Sequence, residues 1–209
     1  MHLMANHAAP GARPRLLPFV TLAILILGSL SLAACRAYAF NGMVLQSPEK
    51  AYQFTLTGAG GQRVSLSDFE GKLVLLYFGY THCPDVCPAT LANLRLARNR
   101  LGEDADQVQV FMITVDPERD TPDIIGKYVA SLDPSFVGLT GSPDEIAEVA
   151  TYYGIFYEKE ESTSAAGYLM AHTASVMLVD RDGYLRLTYP FGTSADDFAA
   201  DLEYLIKRR

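Results

Sequence analysis

Leu16 to Ala34 is a mostly apolar run of 19 residues without a single charge. Arg13 and Arg15 stand ahead of it, the pattern of a secretory signal or a signal anchor. The stretch is at the lower limit for crossing about 30 Å of hydrocarbon. A buried core helix is the weaker alternative, because such helices usually carry polar residues on one face. Residues 1–34 are therefore expected to be a signal peptide or membrane anchor, 35–50 a tether, and 51–209 the folded domain. Further on, Tyr52 to Thr57 alternates apolar with polar, as a half-buried strand does. Gly58 to Gly61 is a turn, and Arg63 to Leu66 reads as the returning strand of an N-terminal β-hairpin. Lys72 to Tyr80 is nearly all apolar, which predicts a central strand covered on both faces.

The period then lengthens. Leu91, Leu94 and Leu101 fall on one face of a helix over 88–101, with Gly102 placed to end it. Val108 to Val115 reads as a second buried strand. Thr121 and Pro122 have the residue types of an N-cap and first turn. Ser142 to Glu145 matches a capping box, and Gly154 closes that helix. Ala174 to Asp180 and Tyr184 to Leu187 flank Arg181-Asp182-Gly183, a hairpin signal. Ser194 to Asp197 opens a last helix with Phe198, Leu202, Leu205 and Ile206 on one face. This order predicts an α/β fold with a mixed sheet flanked by helices, compatible with a thioredoxin-like fold. The acidic run Glu158 to Glu161 is expected to be a solvated loop.

Composition narrows the function. The chain has 209 residues, 49% of them apolar, so disorder and collagen-like repeats are excluded. Both Arg13 and Arg15 precede Cys35, leaving 15 Lys and Arg against 24 Asp and Glu in the body. Nucleic acid is not an expected partner, since phosphate affinity needs clustered cations. Three cysteines are too few for a disulfide scaffold and point to chemistry instead.

The first of them, Cys35, ends Leu32-Ala33-Ala34-Cys35, which resembles a bacterial lipobox. Ala37-Tyr38-Ala39 also fits ordinary signal cleavage, and an uncleaved anchor is a third outcome. All three place the body outside the cytoplasm.

Cys83 and Cys87 lie directly after the most buried strand, where an α/β sheet usually places its ligand site. In helical geometry this spacing puts both on one face, at a helix N-terminus that favours thiolate. Their sulfurs can hold a metal or close a disulfide; two inert core thiols are the bland alternative. Three intervening residues, rather than the two of thioredoxin-like redox motifs, lean towards metal capture. His82 adjoins Cys83 and is expected to point away from it. A lone histidine is usually structural, but His172 is the remaining imidazole and so the natural third ligand. Thiolate sulfur selects Cu(I) or Zn(II), and two Cys with one His suit three-coordinate Cu(I).

Tyr77-Phe78-Gly79-Tyr80-Thr81-His82-Cys83-Pro84-Asp85-Val86-Cys87-Pro88 resembles the signature of the Sco/SenC copper proteins. Thr114 to Pro122 resembles their second motif, and His172-Thr173 with Asp180 to Gly183 their third. The resemblance implies a thioredoxin-like fold and one copper ion, Cu(I) or Cu(II), on Cys83, Cys87 and His172. It also implies a partner, the cytochrome c oxidase subunit carrying the CuA site, with other copper chaperones or thiol reductants as further partners. The uncharged Leu16 to Ala34 stretch and Cys35 place the protein in the bacterial cell envelope, attached to the cytoplasmic membrane through the N-terminus and facing the periplasm or exterior. One departure is Ala171, where the family often has aspartate. Asp116 is open between turn chemistry and a contact that tunes the metal loop, while Asp120 is expected to serve the turn. A copper metallochaperone, a thiol–disulfide oxidoreductase using Cys83 and Cys87 as a redox pair, and a peroxide-reducing enzyme are the rival functions.

Overall fold

A computed structural model describes residues 38–161 and 167–208. The expected signal or anchor, and Cys35 with it, lie outside the described residues. The described residues from Phe40 onward form one compact unit. It is built on a six-stranded mixed sheet. Its strands are β1 (Met43–Val44), β4 (Leu73–Gly79), β5 (Val108–Thr114), β6 (Val137–Leu139), β9 (Val176–Val179) and β10 (Leu185–Tyr189), in the order β1-β10-β9-β4-β5-β6. β4, β5 and β6 are parallel; β9 runs antiparallel to β4 and β10 antiparallel to β9. Every residue of β4 and β5 is buried, which is why both read as unbroken apolar runs. The helices are α1 (Val86–Arg100), α2 (Pro122–Leu132), α3 (Pro143–Tyr152) and α4 (Ala195–Lys207). The fold is thioredoxin-like, with the expected N-terminal hairpin formed by β2 (Thr55–Thr57) and β3 (Arg63–Ser65).

Local chemistry sets the boundaries. The Thr121 side chain accepts from the Ile124 N–H at the start of α2, and Pro122 follows at a position with no hydrogen-bonding duty. Ser142 and Glu145 exchange bonds as a capping box on α3. Ser194 accepts from the Asp197 N–H at the start of α4. Gly102, at φ +57, turns the chain out of α1.

Three segments differ from expectation. The stretch expected to be a tether is docked from Phe40. Asn41 and Gly42 donate their backbone N–H groups to the buried Asp201 carboxylate at 2.9–3.0 Å, and β1 then pairs with β10. Two residues of strand leave almost no periodic signal. The acidic run is not a loop. Tyr157–Glu161 is β7, paired antiparallel with β8 (Tyr168–His172) in a separate hairpin. Its exposed acids hide it from a reading based on burial. The first helix begins at Val86, so Cys87 lies in its first turn and Cys83 precedes it.

Candidate metal centre

The dithiol loop leaves the C-terminal end of β4 and enters α1. Cys87 is fully buried, whereas Cys83 is half-buried. The expected sharing of one helical face is replaced by a closer device. Asp85 stands at the N-cap but makes no side-chain capping bond. The Cys83 sulfur does the capping instead, accepting from the Cys87 N–H at 3.3 Å. A helix terminus leaves such donors unsatisfied, and they favour a negative acceptor.

The two thiols are therefore unequal. The hydrogen bond from Cys87, supported by backbone donors at Asp85 and Cys87, holds Cys83 well below the usual thiol range against opposing burial. The same partnership with Cys83, then burial, holds the Cys87 thiol protonated far above that range. Tyr77, fully buried on β4, faces Cys87; burial and then that thiol push its phenol up. Among the described residues its hydroxyl meets no hydrogen-bond partner of ordinary geometry.

His172, the last residue of β8, reaches this pair from the other side. Its Nε2 stands 3.8 Å from Cys87 Sγ, and its Nδ1 lies 3.3 Å from the Thr173 carbonyl. Donation from Nδ1–H to that carbonyl assigns the tautomer and leaves the Nε2 lone pair facing the sulfur. The Tyr80 ring packs edge-on against the imidazole at 5.9 Å, and Tyr77 at 6.4 Å. Tyr80, Cys83, Pro84, Asp85, Met170 and His172 line a mouth of about 230 Å³. A larger cleft of about 650 Å³ holds Lys50, Lys72 and Arg181 and none of these residues.

The donor set can be tested against a soft cation. With the bond lengths usual for zinc, about 2.3 Å to sulfur and about 2.0–2.1 Å to nitrogen, two donors on one ion stand roughly 3.5–3.8 Å apart for angles from tetrahedral to trigonal. The observed 3.8 Å falls at the trigonal end. Two thiols and an imidazole are the donor types a soft cation such as Cu(I) takes, and this one pair stands at a separation such an ion could bridge. Among the described residues no three Cys, His, Asp or Glu side chains are gathered closely enough to hold a metal ion as they stand.

The remaining sequence candidates sort by contact. His82 stays with Thr81 Oγ1 at 3.1 Å and Asp120 Oδ1 at 3.9 Å, on an exposed face. Met177 is core. Asp120 does more than shape a turn. It is fully buried and accepts from the Thr81 N–H at 3.0 Å, the Thr81 hydroxyl, and the Thr114 hydroxyl at 2.7 Å. It thereby ties the dithiol loop to the end of β5. Asp116 faces the His172 hairpin rather than the thiols, accepting from the Tyr168 hydroxyl at 2.8 Å. Gly79 was not singled out in the sequence. A Cβ there would sit 2.9 Å from Tyr77 Cε1 and 3.0 Å from Cys87 Sγ, so only glycine leaves room for the buried sulfur.

A model of the SCO1/SenC family matches residues 44–207. The chain belongs to the SCO1/SenC family. It is 36% identical over 196 residues to the mitochondrial SCO2 homolog of Bos taurus, covering 90% of this chain and 73% of that one. Across the first curated relatives the aligned stretch spans between 38% and 73% of their length. The structure of Bradyrhizobium japonicum ScoI with copper bound is 40% identical, with a TM-score of 0.69, covering 75% of this chain and 99% of that one. A more distant fold match, BsSco, has a TM-score of 0.63 at 24% identity over 80% of this chain and 99% of that one. It is described as having a disulfide switch, and as a member of the Sco family of cytochrome c oxidase assembly proteins.

Proposed function

We propose that the protein is a copper metallochaperone that carries one Cu(I) on Cys83, Cys87 and His172 to the CuA-bearing subunit of cytochrome c oxidase. The observation that carries this is the 3.8 Å approach of His172 Nε2 to Cys87 Sγ. Plain dithiol exchange needs no imidazole from a distant hairpin. A three-coordinate ion open on one side leaves room for an incoming ligand from the acceptor. Other copper chaperones or thiol reductants would load and reduce the site. Export through the segment before Cys35, with lipidation or anchoring there, would hold the body at the envelope membrane. Among the described residues no helix is long and apolar enough to cross a membrane.

A second reading is favoured by the unequal exposure of the two thiols. In it, the Cys83 thiolate attacks a sulfur of the target's disulfide and forms a mixed disulfide. Cys87 then loses its proton and attacks Cys83 Sγ, expelling the target as a dithiol and leaving Cys83–Cys87 oxidised. One variant separates the two. His172→Ala removes a metal ligand and keeps both thiols. The copper reading expects cells carrying only this variant to lose CuA in their oxidase. Full CuA content would transfer the function to thiol reduction.

A further inference from the structure

His172 reaches the thiols from outside the sheet that carries them. β7 and β8 pair with each other, and among the described residues no strand ladder joins them to the six-stranded sheet. Side chains fasten the hairpin at Tyr168, the first residue of β8. Its hydroxyl donates to Asp116 Oδ1 at 2.8 Å, and its carbonyl accepts from Arg119 Nη1 at 3.0 Å. Arg119 Cζ lies 3.6 Å from the centre of the Tyr168 ring, and Lys159 Nζ lies 3.9 Å from it. Arg119 is also ion-paired with Asp116, and Lys159 with Glu118 at 2.9 Å.

The other end of this arrangement is fixed. Asp116 is buried two residues beyond β5, and its N–H donates to Thr114 Oγ1 at 2.9 Å. β5 runs beside β4, from which the dithiol loop springs. A buried carboxylate is costly unless it is paired, and here both of its partners lead to the hairpin. Along a strand, alternate side chains share a face, so Tyr168 and His172 project to the same side about 13 Å apart. A displacement at Tyr168 is thus carried along β8 to the imidazole.

We propose that Tyr168, held by Asp116 and Arg119, is the positioning residue that keeps His172 in register with Cys83 and Cys87. The proposal rests on His172 being a copper ligand. Loosening the hairpin lowers the fraction of molecules with the imidazole in place, and apparent affinity falls in proportion. Groups that orient ligands typically contribute about 10–100-fold to affinity.

The test is competition with a Cu(I) chelator on reduced protein, for Tyr168→Phe and Arg119→Gln in two backgrounds, wild type and His172→Ala. Circular dichroism selects the variants that fold, and either one decides. The expected result is a loss of about tenfold in the wild-type background and no further loss where His172 is already absent. Wild-type affinity in the folded variants would overturn the proposal. So would equal losses in both backgrounds, since the effect would then be general loosening. Equal affinity of wild type and His172→Ala would overturn the ligand assignment itself, and the proposal with it.

Discussion

Gly79→Ala tests whether the packing around Cys87 is as tight as the structure makes it. The new methyl would meet Tyr77 Cε1 at 2.9 Å, Cys87 Sγ at 3.0 Å and Met112 Cε at 3.3 Å. Carbon atoms in ordinary contact stand about 3.5–4.0 Å apart, so roughly 0.5 Å or more must be found at two of the three contacts. The backbone cannot supply it easily. Gly79 pairs with Thr114 of β5, and its carbonyl accepts from the Val115 N–H at 2.8 Å. The φ of Gly79 is not left-handed, so any effect is packing rather than backbone strain. Overpacking of this kind costs about 1–3 kcal/mol. For a domain of this size, that lowers Tm by roughly 2–12 °C. Urea unfolding of the reduced protein should show a lower midpoint with an unchanged m-value. The Cys87 sulfur is one of the atoms that must give way. Copper binding that forces it back against about 1.4 kcal/mol of strain weakens tenfold. A variant with the wild-type midpoint and wild-type copper affinity would refute the reasoning.

Three further outcomes follow from named contacts. Asp120→Ala leaves the Thr81 N–H and the Thr114 hydroxyl without their buried acceptor, so it should destabilise by about 2–4 kcal/mol in urea unfolding. Asp201→Ala removes the acceptor of the Asn41 and Gly42 N–H groups and should cost about 1–3 kcal/mol, with faster amide exchange confined to β1 and its flanks. Because Cys83 is held below the usual thiol range, its iodoacetamide rate should change little between about pH 8 and pH 6, where an ordinary thiol near 8.5 slows about tenfold per unit. That rate falls only as pH drops through the lowered value. A tenfold decline per unit at Cys83 would contradict the hydrogen-bond account, as would prior modification of Cys87 in the native protein.

What the sequence discloses divides along local and distant chemistry. β4 and β5 are legible because burial on both faces leaves apolar runs, and α2 and α3 because Thr121-Pro122 and Ser142-Glu145 are local capping signals. Cys83 and Cys87 stand out by position, but the capping of α1 by the Cys83 sulfur does not. It depends on a backbone turn at Asp85 that spacing alone does not give. β7 is hidden because Glu158, Glu160 and Glu161 are exposed, although that strand places His172 opposite Tyr157. The Asp201 clamp on Asn41 joins residues 160 apart in sequence, beyond the reach of any periodicity. Asp120 looks like a turn residue because it is one, and its burial against Thr81 is a tertiary fact.

The central claim is that one copper ion sits on two sulfurs and one imidazole nitrogen. X-ray absorption at the copper edge, on the reduced Cu(I)-loaded protein and on His172→Ala, tests it most directly. The account predicts about one copper per chain and a first shell of two sulfur atoms and one nitrogen. The nitrogen should be lost in His172→Ala. A wild-type first shell of sulfur alone, or a nitrogen that persists without His172, would contradict it.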